Sequence, residues 1–173
     1  MGWSMVSDKG KTDISGSMDE RLGRLIDQFQ SFPELYRHRL IMVLQSIGDD
    51  DRFSLNQFAH RRHFQYVNIN LELSHRLLEV PQPQWPTKVF RLLSDEIIGR
   101  SPASAVVLEH IEILFDPALQ ANPVDCLLQL ARYGLVIVRW KGTCDDGHLI
   151  YAEPGHPEYG RYSTEDIQII GLE

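Results

Sequence analysis

The chain has 173 residues, 43% of them apolar and 24% charged, and a formal net charge of −7. That length suits one domain, able to bury roughly 70% of the surface its unfolded chain would expose. An acidic balance excludes nucleic-acid binding by bulk electrostatics, which needs clustered Lys and Arg. Arg61-Arg62 is one candidate for a local basic patch, but two arginines are more often a solvated helix face. Cys126 and Cys144 form neither a CxxC motif nor a metal-type spacing. Free thiols in a reducing cytoplasm are the default for them, with a disulfide left open as the alternative. No apolar run approaches the ~18–20 residues of a membrane span. The first residues lack the charged and apolar regions of a secretory signal. Gly2 invites a myristoylation reading, but Val6 stands where that motif wants Ser or Thr. The expectation is a cytoplasmic protein with no membrane contact.

Residues 1–17 are polar and aperiodic, which predicts a flexible tail ahead of a single domain over 18–173. Gly10-Lys11-Thr12 repeats the last letters of a Walker A loop. No apolar strand precedes it and Met5 falls where the first glycine belongs, so the match is a coincidence. Leu22, Leu25, Ile26 and Phe29 recur at helical spacing and predict a helix over 18–32. Ser17 and Glu20 form a capping box at its start, and Pro33 marks its end.

Residues 40–44 are apolar throughout, as expected of a strand covered on both faces. A tight loop over 45–52 and a helix over 53–62 follow. Strand, loop and helix in this order make the phosphate site of P-loop proteins, where backbone amides and a lysine hold phosphate and a hydroxyl reaches Mg²⁺. Here the loop reads Gly48-Asp49-Asp50-Asp51-Arg52. With Arg52 in the Ser/Thr slot, Asp51 falls where the lysine belongs. A unit pair at ~4 Å and an effective dielectric near 20 is worth roughly 4 kcal/mol. Turning that attraction into repulsion removes several decades of phosphate affinity. The plainer reading makes the three aspartates an N-terminal cap for the following helix, where carboxylates satisfy the dipole that phosphate would.

Further along, residues 66–70 alternate as a second strand should, and 71–80 predict a short helix with Leu73, Leu77 and Leu78 inward. The prolines over 81–86 predict a loop, and 87–99 a third helix through Val89, Leu92, Leu93, Ile97 and Ile98. A second buried strand covers 105–108 and ends at Glu109. Asp116-Pro117 and Asn122-Pro123 each open a helix, the second closing at Gly134. A buried strand over 135–140 is expected to pair with 148–152 as a hairpin turned by Asp146-Gly147. A rigid turn spans 154–157, a helical turn 163–166, and a last strand 167–170. Apolar strands alternating with helices predict an α/β fold: a mainly parallel sheet flanked by helices, finished by antiparallel strands at its C-terminal edge.

In such sheets ligands bind at the carboxyl ends of the strands, here the loops after Leu44, Asn70, Leu108 and Trp140. Val106-Val107-Leu108-Glu109 has the form of a Walker B strand, with Glu109 as its acid, and Thr143 is a candidate polar sensor. His60 and His63 lie three apart on the predicted helix but lack a third metal ligand in reach. Asp145, Asp146 and His148 fit turn chemistry. His156, Glu158 and Tyr159 could support acid–base work, against the simpler reading of a structured surface turn. Neither a G-x-S-x-G motif nor a Cys–His pattern is present.

The stretches Tyr66-Val-Asn-Ile-Asn-Leu-Glu-Leu-Ser74, Val106-Val-Leu-Glu-His-Ile-Glu-Ile-Leu-Phe-Asp-Pro117 and Tyr151-Ala-Glu-Pro-Gly-His-Pro-Glu-Tyr-Gly-Arg-Tyr162 resemble the small P-loop protein of type 3 BREX bacteriophage-defence systems. The likeness covers roughly residues 36–170. Its most specific part is the last stretch, with Tyr151, Glu153, Gly155, His156, Pro157, Glu158 and Tyr159 as the signature. The resemblance implies a RecA/AAA-like core and a place in a multi-protein anti-phage machine that tells host from phage DNA by methylation elsewhere in the machine. It also implies a Walker A loop ending in Gly-Lys-Thr, from which Gly48-Asp-Asp-Asp-Arg52 departs, and an Asp where Glu109 stands. ATP hydrolysis therefore does not carry over. The expected function is that of a non-catalytic pseudo-NTPase, an adaptor or scaffold for other subunits of the complex, with no cofactor. The alternative is an ATP-binding or ATP-hydrolysing subunit with an unorthodox loop, taking ATP and Mg²⁺. A nucleic-acid module ranks third because of the charge. Trp3 and Trp85 are candidates for a partner surface, and a homo-oligomer is left open.

Overall fold

The computed structural model of the chain describes residues 16–44, 53–98 and 105–171. Helix α1 (Met18–Ser31) starts at Ser17, whose side chain accepts from Glu20 N while Glu20 reaches back to the Ser17 amide, the expected capping box. Its stripe of Leu22, Leu25, Ile26 and Phe29 is buried. Strand β1 (Leu40–Leu44) has the predicted bounds. Helix α2 (Leu55–Arg61) is capped by Ser54, which accepts from Gln57 N. The short hydroxyl of Ser54 is placed to accept from a free amide of the first turn, while Asp49, Asp50 and Asp51, expected to cap this helix, lie outside the described residues. The helix also ends at Arg61, and His63 turns away with φ of 56°. His60 and His63 do not share a helix face.

Strand β2 (Gln65–Asn68) is shorter than predicted, because Asn68 caps helix α3 (Ile69–Leu78) by accepting from Leu71 N. Ile69 and Asn70 thus belong to the helix. On α3, Leu73 and Leu77 are buried, but Leu78 is 84% exposed, the reverse of its expected place. Helix α4 (Trp85–Ile98) begins inside the proline-rich stretch. A 3-10 turn over Gln82–Gln84 leads into it, and Pro86 occupies its first turn, where a missing N–H costs nothing. Strand β3 (Ala105–Glu109) is followed by two 3-10 turns, Glu112–Phe115 and Pro117–Leu119. Asp116 caps the second turn by accepting from Ala118 N at 2.8 Å, but no full helix follows it. Helix α5 (Pro123–Leu130) has the Asn122 cap that the sequence predicts. Strand β4 (Leu135–Trp140) is wholly buried.

Five parallel strands form the central sheet in the order β2-β3-β4-β1-β8, with β8 (Gln168–Gly171) on the open side of β1. Alternation along the strands divides the interior into two cores. Ile41, Val43, Val107 and Ile137 pack with Leu22, Phe29, Leu55 and Phe58 of α1 and α2. Leu40, Met42, Leu108 and Val138 pack with Leu73, Leu93 and Leu127 of α3, α4 and α5. Helices on both faces follow from parallel strands, whose right-handed crossovers need one face for each direction of travel. Among the described residues no helix is long and apolar enough to cross a membrane.

The antiparallel strands do not extend this sheet. They form a second one, β5 (Thr143–Asp145), β6 (His148–Tyr151) and β7 (Gly160–Ser163). The hairpin at Asp146-Gly147 is as predicted, with φ of 44° and 69° at its two corner residues, but the partner of β6 is Thr143–Asp145 rather than β4. Strand β4 is held between β1 and β3 and has no edge to offer. The small sheet is anchored by Trp140, which is fully buried and stands among Phe115, Tyr151 and Tyr162, with Nε1 donating to Ile150 O at 3.3 Å. Gly142 makes this approach possible, since a Cβ there would collide with the Ile150 carbonyl.

Candidate functional site

Polar side chains gather where β2, β3 and β4 end. Glu109 closes β3 opposite Asn68 of β2. It is two residues beyond Val107 and shares the face of the sheet that α2 covers. Arg139, two beyond Ile137 on β4, emerges on the same face, and so does Tyr66. Proximity follows from period-two alternation in three adjacent strands. Arg139 Nε donates to Glu109 Oε1 at 3.1 Å, and Tyr66 OH donates to Glu109 Oε2 at 2.9 Å. The guanidinium also reaches Phe53 O at 3.4 Å, just ahead of α2, and lies 6.0 Å from the Phe53 ring centroid. Only 8% of Arg139 is exposed.

A second, parallel arrangement lies beyond it. Glu112 accepts from Lys141, which follows β4, and from Asn70 Nδ2 at 2.9 Å. Asn70 is fixed in turn: its N–H donates to His110 O and its Oδ1 accepts from Ile113 N, each at 2.8 Å. Each acid thus comes from the β3 side, each cation from the β4 side, and each neutral donor from the β2 side. Burial pushes the Glu112 carboxyl up, but the Lys141 hydrogen bond, a backbone hydrogen bond and the Lys141 and His110 charges outweigh it and hold the group below its ordinary value.

Tyr66 is pushed up to about 12, first by burial and then by the Glu109 hydrogen bond and charge, partly offset by Arg139. Its phenol is therefore a donor across the ordinary pH range. The raised value means that folding favours the protonated form. The associated stability is complete below pH ~10, the unfolded phenol's pKa, and is lost as pH rises toward 12. In an ultraviolet titration one tyrosine should ionise last, and Tyr66→Phe should remove that final step.

Each Glu109 oxygen accepts one hydrogen bond, and the adjoining Arg139 guanidinium balances the carboxylate charge. Among the described residues no group of three or more His, Cys, Asp or Glu side chains could hold a metal ion. Gly48, Asp49, Asp50, Asp51 and Arg52 lie outside the described residues. Thr143 is exposed in β5, where it pairs with Ile150 of β6.

The signature residues form the connection between β6 and β7. Tyr151 stacks on Phe115 with ring centroids 3.6 Å apart. Glu153, Gly155, His156, Pro157 and Glu158 make a surface turn, in which His156 N donates to Glu153 O, and Tyr159 N to His156 O, at 3.0 Å. His156 Nδ1 accepts from Glu158 N at 3.1 Å, and Gly155 has φ of 97°. The turn is held by its own backbone and does not meet Glu109. Cys126 is buried and Cys144 exposed, both as free thiols. Trp85 is half-buried, with Nε1 donating to Val80 O at 2.9 Å, and Trp3 lies outside the described residues.

Arg139, Tyr66, Asn70, Glu112 and Lys141 went unrecognised as site residues in the sequence. One signal for Arg139 was present: a lone cation inside an otherwise apolar buried strand must find a buried partner. No protein-family model, curated protein or solved structure matches this chain.

Proposed function

We propose that the chain is a non-catalytic relative of the P-loop NTPases, acting as an adaptor or scaffold subunit in a multi-protein anti-phage assembly of the BREX kind. The observation that carries the non-catalytic part is the Arg139–Glu109–Tyr66 network. The acid at the Walker B position is neutralised from within by a cation of the neighbouring strand, where a working NTPase leaves it for Mg²⁺ or water. The strand order supports descent from such an enzyme. Counting only the parallel strands it reads 5-1-4-3-2, with β4 inserted between β1 and β3, the RecA/AAA-like arrangement that the resemblance implies. Rossmann (3-2-1-4-5-6) and flavodoxin-like (2-1-3-4-5) sheets have other orders. Membership of the defence assembly rests on the sequence resemblance alone.

Isothermal titration of the full chain with Mg-ATP is the test. No saturable heat is expected up to about 1 mM nucleotide. Micromolar binding that Glu109→Gln alters would replace the adaptor with the alternative, an ATP-using subunit with an unorthodox loop.

A further inference from the structure

The edge of the sheet opposite the Glu109 network carries a different surface. There the chain enters β1 through residues 32–39 and β4 through residues 131–134. The two segments meet at Arg39, where the strands begin: Arg39 N donates to Ala131 O at 3.4 Å, and Val136 N donates to Arg39 O at 2.8 Å. Phe32 is 53% exposed, Leu35 71% and Tyr133 68%. They are half of the large apolar side chains that the described residues leave exposed, the others being Leu71, Leu78 and Tyr159.

Charge singles out the same place. Among the described residues, the cationic side chains with no hydrogen bond, ion pair or ring contact are Arg37, Arg39, Arg132 and Lys88. All but Lys88, on α4, belong to these two segments. Of the acids nearby, Glu34 is exposed, and Asp166 faces His38 across 3.7 Å. An acidic chain thus concentrates its uncommitted arginines beside exposed aromatic and aliphatic groups. Arg and Tyr are the residue types enriched in protein interfaces and their energetic centres.

We propose that this edge docks an extended acidic segment of another protein, with carboxylates meeting Arg37, Arg39 and Arg132 and apolar side chains covering Phe32, Leu35 and Tyr133. In taking the ligand to be a protein, the inference rests on the adaptor reading; the surface itself is independent of the Glu109 site. A protein segment is favoured over a nucleic acid because a single strand would need a continuous basic track for its backbone, and Glu34 interrupts this one.

The test is fluorescence anisotropy of the full chain with a short labelled peptide alternating Glu or Asp with Leu or Phe. A peptide with Lys at the acidic positions and an oligothymidylate serve as the other arms. Saturable binding of the acidic peptide is expected, weakened about tenfold or more by Arg37→Glu/Arg132→Glu and by added salt. Tyr133→Ala should weaken it at low and high salt alike. These positions are exposed, and an unchanged circular dichroism melt would show that the fold is intact. Equal binding by the Glu variant, no binding at about 1 mM chain, or preference for the Lys peptide or the oligonucleotide would each overturn the proposal. If peptide fails and Mg-ATP also fails to bind, the docking edge falls while the adaptor reading stands. If both bind, the edge stands and the non-catalytic reading falls.

Discussion

Replacing Arg139 with methionine should destabilise the protein by up to about 3–5 kcal/mol, the cost of leaving a largely buried carboxylate without its counter-charge. For a chain of this length that corresponds to a loss of roughly 6–20 °C in melting temperature, at 2–4 °C per kcal/mol. Methionine keeps the apolar length of the side chain, so the loss reads the charge and its hydrogen bonds. The damage should be mostly reversible by removing the other partners. Glu109→Leu takes away the stranded charge, and Tyr66→Phe the phenol that the lost carboxylate would leave unpaired. The triple variant should be substantially more stable than Arg139→Met alone. A double-mutant cycle on Arg139 and Glu109 by urea unfolding gives the coupling directly. Additive single losses would show that the network is not a unit, and the structural role assigned to Glu109 would fail with it.

Trp140→Ala should cost a similar amount, about 3–5 kcal/mol, for a different reason. The indole is fully buried where the parallel sheet gives way to the antiparallel one. Removing it opens a cavity between Phe115, Tyr151 and Tyr162 and deprives Ile150 O of a donor. Amide exchange should separate the consequences. Protection in β5, β6 and β7 should fall further than in β1, β3 and β4, because the small sheet is fastened to the core through this cluster. Trp140→Phe restores the ring but not the N–H, and should recover part of the stability. Uniform loss of protection across both sheets would instead make them one cooperative unit.

The consequences for function run through the same residues. A carboxylate at the end of an apolar strand looks catalytic when only its own strand is read. Its meaning depends on what adjacent strands present at the same height. Arg139 and Tyr66 are 30 and 43 positions away in sequence. They meet Glu109 because β2, β3 and β4 are neighbours and all three side chains fall on one face.

By itself the sequence determined the local elements that depend on contiguous chemistry. The Ser17–Glu20 capping box, the buried strands at 40–44 and 135–140, the Asn122-Pro123 helix start and the Asp146-Gly147 turn are all legible there, because caps, turns and apolar runs are written in adjacent residues. Parallel strands and flanking helices followed from their alternation. Only the tertiary structure decided the rest. It placed β4 inside the sheet and gave the hairpin to β5. It ended β2 early because Asn68 caps α3, turned Leu78 outward, and closed Glu109 with Arg139 and Tyr66. Those outcomes turn on strand order and on which residues stand opposite one another. That information lies in pairings between distant segments, where burial and charge compensation are settled over the whole domain.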